Sequence, residues 1–100
     1  MRAAVIGIGS NSVRMLLADI QGSHLSRLMR DREGTRLFAG LDARRALSQE
    51  AMERAGEAVR RMAASARENG AEQLHLFSTS AVRDASNQAA FIQLLRECAG

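Results

Sequence analysis

Several residue types that mark particular classes of protein are rare or absent in this sequence. It has no tryptophan, tyrosine, lysine or proline, three phenylalanines and a single cysteine, Cys98. One cysteine excludes a disulfide within the chain, and so few aromatic rings leave little for nucleic-acid bases to stack on. No apolar run approaches the roughly 20 residues that span a membrane, and the residues after Arg2 lack the pattern of a signal peptide. The sequence therefore predicts a soluble, cytoplasmic protein that binds neither membranes nor nucleic acid.

The positive charge comes entirely from arginine. All 14 basic residues are arginine, and with 11 acidic residues they leave a net charge of +3. This excess permits a polyanionic partner. The chain has 100 residues, of which 46% are hydrophobic and 25% charged, and this suffices for one small globular domain with a modest core.

A turn of small polar residues lies between two apolar runs near the start of the chain. The runs Ala3–Ile6 and Met15–Ile20 are dense in aliphatic residues and predict the two strands of a hairpin. Gly9 lets the backbone approach a ligand closely. Hydroxyl, amide and guanidinium donors follow it in Ser10, Asn11, Ser12 and Arg14. The stretch is typical of a phosphate-binding loop, or of an ordinary tight hairpin whose polar side chains satisfy local backbone groups.

Apolar periodicity and turn residues predict the next three elements. His24–Met29 is predicted to be a third strand, which the charged run up to Gly34 extends along an exposed edge. Ser48 is a good N-cap for the helix that follows, and Gly70 suits the left-handed cap at its end. Glu72–Phe77 then predicts a fourth strand.

Two further expectations concern helix surfaces. Glu57 and Arg61 are four residues apart in the order that favours an ion pair on the surface of the first helix. A second helix is predicted near the end of the chain, and its apolar stripe consists of Phe91, Leu94, Leu95 and Cys98. The position of Cys98 on this stripe favours packing over a reactive thiol.

A second cluster of polar residues runs from Ser78 to Asn87, directly after the fourth strand. Sheets with helices between their strands bind ligands at the carboxyl ends of those strands, which favours a ligand site here. The alternative is helix capping, with Thr79 and Ser80 capping a turn and Asn87 capping the last helix. Both interpretations can hold together.

Three segments together resemble the exopolyphosphatase and guanosine pentaphosphate phosphatase family, a branch of the actin-like ATPases. Ile8–Arg14 is similar to the family's first phosphate loop, Asp-Ile-Gly-Ser-Asn-Ser-x-Arg, with Gly7 in place of the aspartate. Thr35–Leu37 and Gly40–Leu41 resemble Thr-Arg-Leu-Gly-Glu-Gly-Leu. Ser78–Asn87 resembles Ala-Thr-Ser-Ala-x-Arg-x-Ala-x-Asn. Motifs that occur in the correct order are far more specific than any one of them alone.

The resemblance implies an α/β fold: a partial actin-like ATPase (ribonuclease H-like) domain in β-β-β-α-β-α order, with residues 1–100 as the N-terminal part of one lobe. It implies that Arg83 is the active-site arginine that clamps a phosphate. It also implies that phosphate is bound by Gly9, Ser10, Asn11, Ser12, Arg14, Arg36, Thr79 and Ser80. Mg²⁺ is the cofactor that the family implies, although Gly7 offers no carboxylate ligand where the family's aspartate helps hold it.

The function implied by the resemblance is hydrolysis of terminal phosphoanhydride bonds in inorganic polyphosphate or guanosine pentaphosphate. The family's catalytic glutamate and its second glycine-rich loop fall beyond residue 100, so the 100 residues alone are expected to be inactive. An uncovered face of the lobe is expected to favour self-association. Two alternatives stay open, a non-catalytic fragment that binds polyanions through Arg14, Arg36 and Arg83, and an actin-like nucleotide-binding lobe of kinase type.

Overall fold

The computed structural model describes residues 1–37, 46–78 and 85–100. In these residues four strands form one sheet, and two helices follow in the predicted β-β-β-α-β-α order. The elements are β1 (Arg2–Ile8), β2 (Ser12–Gln21), β3 (His24–Gly34), α1 (Gln49–Glu68), β4 (Gln73–Ser78) and α2 (Gln88–Ala99). Neither of the described helices combines the length and the apolar character needed to cross a membrane.

The strands lie in the order β3-β2-β1-β4, which places the first hairpin at the centre of the sheet. β1 pairs with β2 and β2 with β3 in antiparallel fashion, whereas β1 and β4 are parallel. A parallel pair needs a crossover connection, and α1 lies in that connection. Both hairpin strands are longer than the predicted runs Ala3–Ile6 and Met15–Ile20, because Gly7 and Ile8 pair with Arg14 and Val13.

The third strand continues through its charged run to Gly34, as predicted. Leu17 pairs with Met29 and Ala18 pairs with Arg27, so Leu28 is a bulge residue. β3 lies at an edge of the sheet, where charged side chains hinder pairing with another chain.

One face of the sheet packs under α1, and this interface forms the core. β1 and β2 contribute the buried side chains Ala4, Ile6, Ile8, Val13, Met15 and Leu17. The Ser48 hydroxyl accepts a hydrogen bond from the Ala51 N–H at 3.1 Å and caps α1, as predicted. Gly70 has a φ of +91°, which glycine adopts without strain. The local signals at both ends of α1 are therefore confirmed.

The second helix packs against the first. Gly56 lies on the facing surface of α1, and a Cβ there would be 3.0 Å from the Cys98 sulfur and 3.7 Å from Leu94. The absence of a side chain therefore permits the close approach of the two helices. Cys98 is buried at this interface, which confirms its packing role.

The ion pair predicted between Glu57 and Arg61 is wrong. Arg61 instead forms hydrogen bonds with Asp31 at 2.6 Å and Glu33 at 2.9 Å, both on β3. Its hydrogen bond to Asp31 is the main reason that the pKa of Arg61 is raised. Glu57 lies 3.7 Å from Arg60, three residues on. Because α1 packs on the sheet, two carboxylates of β3 lie within reach of Arg61. Arg61 binds these two and not the single carboxylate of Glu57 on its own helix.

The opposite face of the sheet carries both apolar and charged side chains. Phe77 is 58% exposed there, and Val5 and Leu16 are partly buried. Arg14, Arg30 and Arg32 lie on the same face, because they alternate with residues that point toward α1. We call this the open face, since α1 packs on the other side.

Candidate functional site

The turn between β1 and β2 is a tight hairpin turn that leaves two backbone donors unused. The Gly9 N–H donates to the Ser12 carbonyl at 2.9 Å, and a Cβ at Gly9 would lie 3.2 Å from that oxygen. Among the described residues, the N–H groups of Ser10 and Asn11 have no hydrogen-bond acceptor. The hairpin interpretation therefore accounts for Gly9, and the N–H groups of Ser10 and Asn11 stay available to an anion.

Asn11 joins this turn to the end of β3. Its carbonyl accepts hydrogen bonds from the N–H groups of Thr35 at 2.9 Å and Arg36 at 3.2 Å. Two of the predicted motifs, which are separate in the sequence, therefore meet at one residue. Arg36 is exposed and has a φ of +48°, in the left-handed region that costs a non-glycine residue energy. Residues held in strained backbone conformations of this kind are concentrated at active sites and ligand-binding sites.

Thr35 has a buried hydroxyl with no partner in the described part of the chain. The residue is 1% exposed, and its Oγ1 makes no hydrogen bond. Its backbone is satisfied, because the N–H donates to Asn11 and the carbonyl accepts from the Arg54 Nε at 3.1 Å. The unpaired hydroxyl thus lies immediately beside the Asn11 junction.

Thr35→Val is expected to raise the free energy of unfolding by about 1 kcal/mol. Valine has nearly the same shape, and an unpaired buried hydroxyl costs about 1–3 kcal/mol. Urea denaturation followed by far-ultraviolet circular dichroism measures the change. Thr35→Ser is the matched control, since it keeps the hydroxyl and removes the methyl group, and it should lower stability. A Thr35→Val protein less stable than the wild type would show that the hydroxyl has a partner.

Arg14 lies in a row of residues that crosses the open face. Gly7 pairs with Arg14 on one side and with Phe77 on the other, and Arg14 pairs with Arg32. The order across the sheet is therefore Phe77, Gly7, Arg14 and Arg32. Together with the Gly9–Ser12 turn, these residues line an open depression in the surface.

The position of Gly7 does not suit the cation that the resemblance implies. A carboxylate there would need a Cβ, and this atom would lie 2.5 Å from the Phe77 Cζ. Within residues 1–37, 46–78 and 85–100, no three His, Cys, Asp or Glu residues are grouped to hold a metal ion. Gly7 itself therefore offers no ligand to a divalent cation, and the Mg²⁺ expectation as a whole stays a prediction.

The second polar cluster begins at the same end of the strands as the hairpin turn. Ser78, the last residue of β4, pairs with Ile8, the last residue of β1. Thr79, Ser80 and Arg83 lie outside the described residues, so their predicted roles stay predictions.

Asn87 does not cap the last helix with its side chain, contrary to the capping prediction. It occupies the N-cap position of α2 without a capping bond. Its Oδ1 accepts from the Leu47 N–H at 2.8 Å, and its Nδ2 donates to the Leu47 carbonyl at 2.9 Å. Leu47 is 3% exposed, so its backbone N–H and carbonyl need hydrogen-bond partners in the protein, and the Asn87 amide supplies both. Asn87 therefore ties the segment before α2 to the segment before α1.

Sequence reasoning missed Arg32 and Phe77 as neighbours of the predicted phosphate loop. The sequence around Arg32 indicates only an exposed charged run. The pairing of Arg14 with Arg32 depends on the register of β2 and β3. Extending the antiparallel pairing from the turn Gln21–Ser23 would have placed Asp31 opposite Arg14 and Arg32 on the face toward α1, because the bulge at Leu28 shifts the register by one residue.

Comparison with known proteins identifies the family. Residues 16–100 match the Ppx/GppA phosphatase family. A Ppx/GppA family member from Aquifex aeolicus is 27% identical, with a TM-score of 0.89 over 97% of this chain and 32% of that one. An exopolyphosphatase from Cytophaga hutchinsonii is 26% identical, with a TM-score of 0.88 over 97% of this chain and 31% of that one. An exopolyphosphatase-like protein is 30% identical, with a TM-score of 0.88 over 99% of this chain and 30% of that one.

The chain thus spans about a third of the length of these solved structures. Their similarity extends over nearly all of its residues, and it confirms the α/β, actin-like fold predicted from the sequence. Because the family match covers most of the 100 residues, the chain belongs to the Ppx/GppA phosphatase family, a family of hydrolases.

Proposed function

We propose that this chain supplies the first phosphate-binding loop of a phosphohydrolase that cleaves terminal phosphoanhydride bonds of inorganic polyphosphate or guanosine pentaphosphate. The observation that carries the proposal is the junction at Asn11. Its carbonyl holds Thr35 and Arg36, while the N–H groups of Ser10 and Asn11 have no acceptor among the described residues. The relatives named exopolyphosphatase support polyphosphate as the substrate class.

Phosphoryl transfer to water demands donors fixed in place around the phosphoryl oxygens. Charge spreads over those oxygens in the transition state, so catalysis comes mainly from positioning and electrostatic stabilisation. Backbone N–H groups at the turn supply short-range donors. Arg14 adds a guanidinium that can bind two phosphate oxygens at once. In the proposal, Arg36 contacts phosphate next to the Asn11 junction.

The residues after β4 complete the proposed site. Thr79 and Ser80 add hydroxyl donors, and Arg83 clamps the terminal phosphate. The strand topology supports this part of the proposal. β1 and β4 are parallel neighbours whose last residues pair, so the chain leaves both strands at the same end of the sheet. The proposed hydrolysis belongs to the whole protein, because this chain spans about a third of its solved relatives. The cytoplasmic location and the self-association of the chain stay predictions.

Arg14→Gln is expected to weaken the binding of inorganic tripolyphosphate by about 10- to 100-fold, since a hydrogen bond to a charged group contributes about 1.5–3 kcal/mol. Isothermal titration calorimetry at about 0.15 M salt limits long-range electrostatic attraction. Arg96→Gln is the matched control, because it removes the same charge from an exposed position on α2. Equal losses in the two variants would show non-specific attraction and contradict the proposed site.

The same titration separates the alternatives. Saturable binding of ATP in preference to tripolyphosphate would favour a nucleotide-binding lobe of kinase type. A phosphate-release assay distinguishes a phosphohydrolase from a polyanion-binding protein that lacks turnover. The 100 residues alone are expected to bind tripolyphosphate without releasing phosphate.

A further inference from the structure

We propose that the open face of the sheet binds a linear phosphate chain directly, through Arg14 and Arg32, with no divalent cation held at position 7. The inference rests on the proposed function and extends it, because it adds Arg32 as a contact and removes the cation from this position. It concerns the row formed by Phe77, Gly7, Arg14 and Arg32.

Two like charges on the open face have no neutralising partner in the described part of the chain. Arg14 and Arg32 are directly opposite each other on neighbouring strands, and both are exposed. Directly opposed residues in a sheet have Cβ atoms about 5 Å apart, and like charges at this separation are destabilising. In the described part of the chain, neither guanidinium forms an ion pair or a side-chain hydrogen bond. A bound anion would relieve this repulsion.

The acidic side chains next to Arg32 in the sequence point away from the open face. Asp31 and Glu33 flank Arg32 in the sequence, but alternation along the strand directs them to the opposite face. There both contact Arg61 of α1, at 2.6 Å and 2.9 Å. Packing of the helix therefore withdraws these two carboxylates from the open face, and the row keeps its positive charge.

Position 7 has no carboxylate and is covered by an aromatic ring. Three atoms of the Phe77 ring lie between 2.5 and 3.1 Å from the place that a Gly7 Cβ would occupy. An aromatic ring that covers a glycine on the neighbouring strand compensates for the missing side chain. A carboxylate could be added only if the ring moved. The row therefore presents two guanidinium groups and no carboxylate. This set of charges suits an anion and not a divalent cation.

The chemistry of the two arginines favours a chain of phosphates over a single one. Each guanidinium presents a planar set of donors that matches two oxygens of one phosphate. Arg14 follows the Gly9–Ser12 turn, and Arg32 lies one strand farther from β1. A phosphate bound at the turn and Arg14 would therefore be followed by another at Arg32. Arg30, two residues earlier on β3, lies on the same face.

The test is calorimetric titration of the chain with tripolyphosphate, once with Mg²⁺ and once with EDTA. We expect binding to persist in EDTA and to be no tighter with Mg²⁺, because Mg²⁺ chelates tripolyphosphate and lowers its charge. Arg32→Gln should weaken binding about fivefold or more in EDTA. Arg96→Gln, the matched control, should bind as the wild type does. Arg32 is exposed, so its replacement leaves the fold intact.

Three outcomes would overturn the inference, and they differ in what they mean for the proposed function. Binding that is lost in EDTA, or an Arg32→Gln variant that binds like the wild type while Arg14→Gln does not, overturns the inference and leaves the proposed function standing. No binding of tripolyphosphate in either buffer overturns both.

A second variant tests position 7. Gly7→Asp combined with Phe77→Ala places a carboxylate beside Arg14 with room for its side chain, and it should weaken binding in EDTA about tenfold because the new charge repels the anion. Gly7→Asn combined with Phe77→Ala is the matched control, because it has nearly the same shape as the aspartate variant without the charge, and it should bind tripolyphosphate about tenfold more tightly than that variant. Wild-type affinity of the aspartate variant in EDTA would show that the row does not hold the anion.

Discussion

Phe91→Ala is expected to lower the free energy of unfolding by about 3–5 kcal/mol, as large-to-small changes of buried phenylalanines do. Phe91 is fully buried and lies in the core that α2 shares with α1 and the sheet. Domains of this size have a total stability of about 5–15 kcal/mol. The Phe91→Ala variant would therefore lose a large part of the total stability of the domain.

Urea denaturation followed by circular dichroism measures this loss, with Arg96→Ala as the control on the exposed side of the same helix. The control should change stability by less than about 0.5 kcal/mol. Equal and small losses in both variants would show that α2 does not pack in the core. That result would contradict the described arrangement of the two helices.

Asn87→Ala is expected to cost about 2–4 kcal/mol, because it leaves the N–H and the carbonyl of Leu47 without partners, and each unpaired buried group costs about 1–3 kcal/mol. Leu47 is 3% exposed, so water does not readily replace the lost amide. A capping asparagine would account for a loss near 1 kcal/mol. The size of the effect therefore distinguishes the bond to Leu47 from a capping role.

Two further variants make the Asn87 measurement specific. Asn87→Asp keeps the acceptor for the Leu47 N–H and replaces the donor with a carboxylate oxygen that faces the Leu47 carbonyl, so it should also be destabilising. Ser86→Ala, at the exposed neighbouring position, should have little effect. A stability of Asn87→Ala close to that of Ser86→Ala would contradict the structural role assigned to Asn87.

Local signals predicted the fold because they act within a few residues. Ser48 caps α1 through a bond to its own first turn, and Gly70 adopts the left-handed conformation that only glycine adopts freely. The dense apolar runs of the first hairpin indicated its two strands for the same reason. The resemblance added the order of elements, which the structure confirms.

The candidate site was less predictable because its contacts join residues that are distant in the sequence. Arg61 bonds to Asp31 and Glu33 across the interface of helix and sheet, so the spacing of Glu57 and Arg61 could not reveal its partners. Asn87 likewise bonds to a residue 40 positions away. The packing of Phe77 on Gly7 depends on strand order, which the sequence alone leaves open.

The central claim is that the Gly9–Ser12 turn and the residues after β4 bind the same phosphate group. Titration of the ¹⁵N-labelled chain with tripolyphosphate, followed by amide resonances, tests it most directly. The account predicts the largest shifts at Ser10 and Asn11 together with Thr79, Ser80 and Arg83. Shifts at Ser10 and Asn11 with Thr79, Ser80 and Arg83 unchanged at saturation, or shifts confined to the helices, would contradict it.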